Sequence, residues 1–272
     1  MNKLNIMLIG CGRWGSFIGW YLDQLHHSVT IYGLENAPSF ITLKENRKND
    51  YITLTDTIKL TSDIKEALSK DVIIISINSQ NLRSVCHELK EIGLENKKIV
   101  LCMKGLEIET GKRLSEVVEE IVEQNNKVAV WIGPGHVQSF YQGIPNCMVI
   151  DSEDSDTIVK LVDEFSSSLI RFYYGQDLIG NEIGAASKNV IGIAAGMLDG
   201  YRLSSLKGAK AVTVKGDAVY DQYEHEITIK INALKLKEIK IENLAFIVFI
   251  VASLLDIVAN EDIKKFYKNN LK

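Results

Sequence analysis

The chain has 272 residues, 46 % hydrophobic and 24 % charged, with a formal net charge of −4. That length accommodates one large domain or two ordinary ones of roughly 100 to 200 residues, and the composition is globular rather than disordered or fibrous. A slightly acidic balance supplies no global basic field, so nucleic acid is excluded as an expected partner and any phosphate must be held by a local site.

The chain opens on "NIMLIG" (5–10), a short apolar run leading straight into a glycine turn, with neither a signal-peptide cleavage pattern nor a separate hydrophobic segment. It predicts a first strand. "SVTIYG" (28–33), "DVIIISIN" (71–78), "KKIVLCMKG" (97–105), "KVAVWIGPG" (127–135) and "CMVID" (147–151) repeat the pattern of strands covered on both faces. Between them, "SEVVEEIVEQ" (115–124) and "DTIVKLVDEF" (156–165) space their apolar residues by three and four, which predicts helices. Strand and helix in alternation predict an α/β fold with a parallel, doubly wound sheet. Cys11, Cys86, Cys102 and Cys147 lie far apart, without zinc-type spacing, and read as reduced thiols of a cytoplasmic protein. No metal site is expected.

"GCGRWG" (10–15) places a GxGxxG between a predicted strand and a predicted helix. Gly10 permits the tight turn, Gly12 lets backbone approach a pyrophosphate, and Gly15 allows close packing of helix on strand. The helix N-terminus then faces the phosphates. Glu35, at the end of the second strand, stands where a carboxylate accepts from an adenosine ribose. Trp14 reads equally as core or as cofactor contact.

"GCGRWG" resembles the GxGxWG of NAD(P)-dependent glycerol-3-phosphate dehydrogenases. In the same order along the chain, "ENRKNDYI" (45–52), "MKGLE" (103–107), "GPGHVQSFYQGIPNCMVI" (133–150) and "NEIGAASKNVIGIAAGMLDG" (181–200) are also similar to that family. The resemblance covers about residues 4–209. It implies reduction of dihydroxyacetone phosphate to sn-glycerol 3-phosphate, the entry step to the glycerophospholipid backbone. It also implies a Rossmann domain over 1–178, a smaller, mainly helical substrate domain over 179–272, and a homodimer.

Reducing a ketone needs hydride on carbon and a proton on oxygen, and an ammonium both stabilises the developing alkoxide and donates that proton. Lys188 matches the family's general acid/base, with Asn189 beside it as a substrate contact. In a helix over 178–199, Gly184, Ala185, Ile191 and Gly192 surround Lys188 with small, apolar neighbours, which predicts a buried ammonium. From composition alone a surface lysine is the other reading. By resemblance Lys104 contacts both substrate and cofactor, although a solvated strand-end lysine fits the residues as well. Gly133 and Gly135 offer backbone N–H groups to substrate, or form a plain turn. Gly135 stands where the family commonly has Ser or Thr. His136, next to it, has no recognisable partner. Arg13, Trp14, Ser79 and Val137 complete the implied cofactor set. Leu34 occupies the place where the family often carries an arginine for the 2′-phosphate of NADP, and Glu35 follows, so NAD(H) is expected to be favoured over NADP(H).

After "LKGA" (206–209) the family continues with a GDL-type loop and a Ser-Arg-Asn motif that grips the substrate phosphate. Neither is present in this sequence. "EITIKIN" (226–232) alternates like a strand instead, and "LAFIVFIVASLL" (244–255), twelve residues ended by Asp256, reads as a buried helix or strand rather than a membrane span, so no stable membrane insertion is expected. The residues fit either a diverged domain or a shifted or truncated reading frame. Arg202 and Lys207 are the remaining cations near the end of the matching region, and Asp217 is no safe substitute for the family's aspartate. Two further readings of the whole chain follow: a weak or inactive dinucleotide-binding protein, and a reductase of another small oxo or hydroxy compound.

Overall fold

A computed structural model describes residues 3–189, residue 192 and the segments 211–213 and 230–232. The chain divides into compact units at Met1–Ala186 and Ser187–Lys272.

The first unit is built on an eight-stranded sheet of order β3-β2-β1-β4-β5-β6-β7-β8. Its strands are β1 (Asn5–Ile9), β2 (Ser28–Tyr32), β3 (Lys59–Thr61), β4 (Val72–Ile75), β5 (Lys98–Leu101), β6 (Lys127–Ile132), β7 (Asn146–Ser152) and β8 (Ile170–Tyr174). All six expected strands are present, and β3 and β8 are additional. The apolar runs of the central strands alternate between two cores. Ile6, Leu8, Val72, Ile74, Val100, Ala129 and Trp131 join one, and Met7, Ile9, Ile73, Ile75, Ile99, Leu101, Val128 and Val130 join the other. A strand buried on both faces needs no polar side, which is why these segments read as continuous apolar runs.

The sheet is mixed rather than parallel throughout. From β3 to β6 neighbouring strands run parallel, but β7 pairs antiparallel with β6, Trp131 opposite Ile150. The connection explains this reversal. Its helix, α5 (Val137–Tyr141), has five residues and rises only about 8 Å. That is too little to carry the chain back along a six-residue strand of roughly 20 Å. The longer α6 (Ser155–Phe165) restores a parallel crossover between β7 and β8.

Four helices precede α5: α1 (Arg13–Gln24), α2 (Pro38–Asn46), α3 (Leu82–Glu91) and α4 (Leu114–Ile121). Of the two helices expected from spacing, that at 115–124 corresponds to α4 and that at 156–165 to α6. A further helix starts at residue 178, and its residues 178–186 close the unit. Its first turns are anchored by two buried carboxylates. Asp151 accepts from the Asp177 backbone N–H at 3.1 Å and from Asn181 Nδ2 at 2.7 Å. Glu182, 5 % exposed, accepts from Arg113 Nη1 at 2.8 Å, from the Ser115 N–H at 3.0 Å and from Ser115 Oγ at 2.6 Å. Glu182 thus caps the N-terminal turn of α4 from another helix while it neutralises Arg113. Glu182→Gln keeps the shape but removes the charge shared by three donors. An expected loss of about 2 kcal/mol is read as a lowered midpoint in urea unfolding.

In the second unit, β9 (Ala211–Thr213) pairs antiparallel with β10 (Lys230–Asn232), so part of the strand expected at 226–232 is present. Residues 226–229 of that strand, the apolar run 244–255, Arg202, Lys207, Asp217 and nearly all of the expected helical domain lie outside the described residues. Among the described residues no helix is long and apolar enough to cross a membrane.

Candidate active site

The glycine turn after β1 is closely packed. Gly10 has φ +113°, and a Cβ there would lie 2.3 Å from the Ser76 carbonyl oxygen. A Cβ at Gly15 would lie 2.1 Å from the Gly10 carbonyl oxygen, so α1 reaches the turn only because both positions lack a side chain. Gly12, by contrast, has nothing among the described residues within 4 Å of its Cβ position. It is the N-cap of α1, where among the described residues no side chain caps the exposed N–H groups and no acidic residue occupies the first turn. The positive end of α1 is left to whatever enters in front of it.

That space is a cavity of about 790 Å³, lined at the glycine turn by Gly10, Gly12, Arg13 and Trp14 and at its far side by Lys104, Gly133 and Gly135. It lies beyond the carboxyl ends of β1, β2, β4, β5 and β6, the position where open α/β sheets bind their ligands. Its size falls within the usual range for ligand pockets, roughly 300 to 1,000 Å³. The uncapped helix end, the vacant side-chain position at Gly12 and the elongated lining from Leu34 to Lys104 fit a dinucleotide.

Arg13 donates through Nη2 to Gln138 Oε1 and lies 4.5 Å over the Tyr51 ring. Its partners are neutral, so its charge stays available at the cavity. Trp14 lines the cavity while packing 5.2 Å from Phe17 and 6.3 Å from Phe140, which makes it both core and wall. Gly135 has no room for the hydroxyl-bearing residue common in the family: its Cβ position is 2.2 Å from the Phe140 ring.

Five expected positions are not among the residues that line the cavity. Glu35 does not line the cavity; its carboxylate accepts from Lys44 Nζ at 2.8 Å, and these hydrogen bonds, with one from Ser62, hold its pKa below the usual carboxylate range. Ser79 is turned away, its Oγ accepting from Gln80 Nε2 at 3.0 Å, and its neighbours Asn78 and Asn81 line the cavity instead. Val137 is 2 % exposed within the core, because the first turn of a short helix packs that side inward. Lys188 and Asn189 are exposed rather than buried: the buried stripe of their helix runs through Leu178, Glu182 and Ala185, at i, i+4 and i+7.

Sequence reasoning missed Ser39, Ser76 and two cysteines of the cavity wall. Cys11 Sγ lies 3.4 Å from Ser39 Oγ, and burial pushes the Cys102 thiol far up. Cys86, in the core, is pushed up to about 12 by the same cause. Among the described residues no group of three His, Cys, Asp or Glu side chains is placed to hold a metal ion.

Residues 5–158 match the family model described as NAD-dependent glycerol-3-phosphate dehydrogenase N-terminus. The chain belongs to this family. It is 36 % identical over 216 residues to a glycerol-3-phosphate dehydrogenase [NAD(P)+] of Fusobacterium nucleatum, covering 77 % of this chain and 64 % of that protein. To the protein of that name from Clostridium botulinum it is 34 % identical over 205 residues, covering 74 % and 61 %. Among solved structures, the glycerol-3-phosphate dehydrogenase of Coxiella burnetii superposes with a TM-score of 0.66 at 25 % identity, covering 75 % of this chain and 63 % of that one. The chain therefore spans a little under two thirds of the length of these relatives.

Proposed function

We propose that the chain binds NAD(H) or NADP(H) in the cavity before α1 and reduces dihydroxyacetone phosphate to sn-glycerol 3-phosphate in the cytoplasm, as a homodimer, supplying glycerophospholipid synthesis. The observation that carries this reading is the coincidence, in one cavity, of an uncapped helix N-terminus beside Gly12 with Lys104 in the lining.

The nicotinamide, when bound, supplies hydride to the carbonyl carbon. The chain's own groups do the rest. The N–H groups at the start of α1 and the Arg13 guanidinium hold phosphate charge. Lys104 orients the substrate at the carboxyl end of β5. Lys188 gives a proton to the carbonyl oxygen as the C–H bond forms, and takes it back in the reverse direction. Backbone N–H groups at Gly133 and Gly135, with Asn189, complete the substrate contacts.

The test is oxidation of NADH and NADPH by purified protein with dihydroxyacetone phosphate, beside direct titration of each dinucleotide. Turnover supports the reading. Dinucleotide binding without turnover supports the second reading, a binding protein without reductase activity, which the lack of a Ser-Arg-Asn motif in residues 210–272 favours.

Cofactor choice turns on Leu34 and Glu35. Leu34 lines the cavity and offers no cation to a 2′-phosphate, which favours NAD(H), while Lys44 offsets the charge of Glu35. NADH is therefore expected to bind more tightly than NADPH by a modest factor. Lys44→Ala uncovers the carboxylate and widens that preference about fivefold, the scale of a surface ion pair. A preference that stays unchanged in parallel titrations of both dinucleotides would show that Glu35 plays no part in it.

A further inference from the structure

The loop between β5 and α4, residues 102–113, carries Cys102, Met103 and Lys104 along the cavity wall. It is held from outside the sheet. Gln80, in the 3₁₀ turn Ser79–Asn81, donates through Nε2 to the Leu106 carbonyl at 2.9 Å, and its Oε1 accepts from the Ile108 N–H at 2.9 Å. One side-chain amide thereby pairs with the loop as a neighbouring strand would. Three residues on, Arg83 donates to Glu107 as a fork, Nε to Oε1 at 2.8 Å and Nη2 to Oε2 at 2.9 Å. Glu107 takes a third bond from Thr110 Oγ1 at 2.5 Å. These donors hold its carboxyl down at about 2, so it is ionised throughout the neutral range. The Glu107 N–H donates to the Lys112 carbonyl at 2.9 Å, and Leu106 bridges to Arg113, closing the loop on itself. Gly105, at φ +136°, is the one joint between this fixed segment and Lys104.

We propose that Gln80 and the Arg83–Glu107 pair are positioning residues that set where Lys104 stands at the cavity wall. The proposal rests on the reading above that Lys104 meets cofactor and substrate. It goes beyond that reading in making the start of α3, rather than the sheet, the element that determines the reach of the lysine. A flexible ammonium gains nothing from being near a ligand unless its backbone is fixed, because the entropy of ordering it is otherwise lost on binding. Gln80 is exposed, so Gln80→Leu removes both of its bonds to the loop, together with the one to its neighbour Ser79, without opening the core.

The experiment is a double-mutant cycle on the full chain: wild type, Gln80→Leu, Lys104→Ala and the pair, with Arg83→Leu as a second entry into the same clamp. Gln80→Leu is expected to raise KM for dihydroxyacetone phosphate about tenfold with little change in kcat, and to change it less than twofold when Lys104 is already alanine. Additive losses in the cycle would overturn the proposal, since a merely structural role acts whether or not Lys104 is present. If wild type binds NADH without turning over, the same cycle is read in Kd. If it does neither, the functional reading falls, and amide exchange across residues 104–111 decides the positioning claim. Exchange faster by about tenfold in Gln80→Leu, at unchanged unfolding temperature, supports it; unchanged exchange overturns it.

Discussion

Lys188→Ala is expected to lower kcat for dihydroxyacetone phosphate by about a thousandfold, the middle to upper part of the range for a positioned general acid, while the Kd for NADH moves less than twofold. The reason for the separation is the arrangement of the chain. Every residue lining the described cavity lies between Ile9 and Met148, whereas Lys188 is exposed on a helix whose buried stripe passes through Glu182 and Ala185. Losing an exposed side chain removes little packing, so the fold should be unaffected. The measurement is stopped-flow NADH oxidation together with a fluorescence titration of NADH. A kcat within tenfold of wild type would remove Lys188 from the proton transfer. A lost NADH affinity would show that the substitution acts through the cofactor cavity instead.

The central strands and the glycine turn were legible because each obeys a local rule. Apolar runs on strands buried on both faces announce themselves, and Gly10 and Gly15 are required by atoms the structure places 2.3 and 2.1 Å from their Cβ positions. What was illegible depended on long-range geometry. The direction of β7 is decided by the shortness of α5, and a five-residue helix leaves little periodic signal. Glu35 was read from chain position, but whether a carboxylate faces a ligand depends on its neighbours. Lys44, nine residues on along the next helix, takes it. Val137 and Ser79 were carried over by alignment to motifs, which fixes a backbone position but not a side-chain direction. Glu182 and Asp151 are buried carboxylates whose partners lie up to 69 residues away in sequence, and no spacing rule reaches that far. The letters of "NEIGAASKN" drew attention to Lys188, although the residues whose contacts are most evident in that segment are Asn181 and Glu182, which fasten the helix that bears it.

The three glycines of the first turn are expected to separate stability from binding. Gly15→Ala removes a poor helix former, a gain of about 1 kcal/mol, but drives a methyl to 2.1 Å from a backbone oxygen that has no side-chain freedom to move. Overpacking of this kind costs about 3 kcal/mol, so the net loss is about 2 kcal/mol. The displaced turn should also weaken NADH binding by more than a hundredfold. Gly10→Ala adds the strain of φ +113° to a contact of 2.3 Å and should lose at least as much on both counts. Gly12→Ala meets no atom of the described residues within 4 Å beyond its chain neighbours, and its stability should fall by less than about 1 kcal/mol, the scale of an N-cap change. Its methyl enters the space in front of α1, where phosphate has to approach the N–H groups, and NADH affinity should drop about thirtyfold, equivalent to about 2 kcal/mol. Urea unfolding and NADH titration on the three variants therefore form one experiment. Gly12→Ala binding NADH like wild type would place the pyrophosphate somewhere other than the end of α1, and with it the assignment of Arg13 would fall. Gly15→Ala unfolding at the wild-type midpoint would mean that α1 can withdraw from β1 at no cost, which the tight seating of Gly19 against Ile31 beneath the same helix argues against.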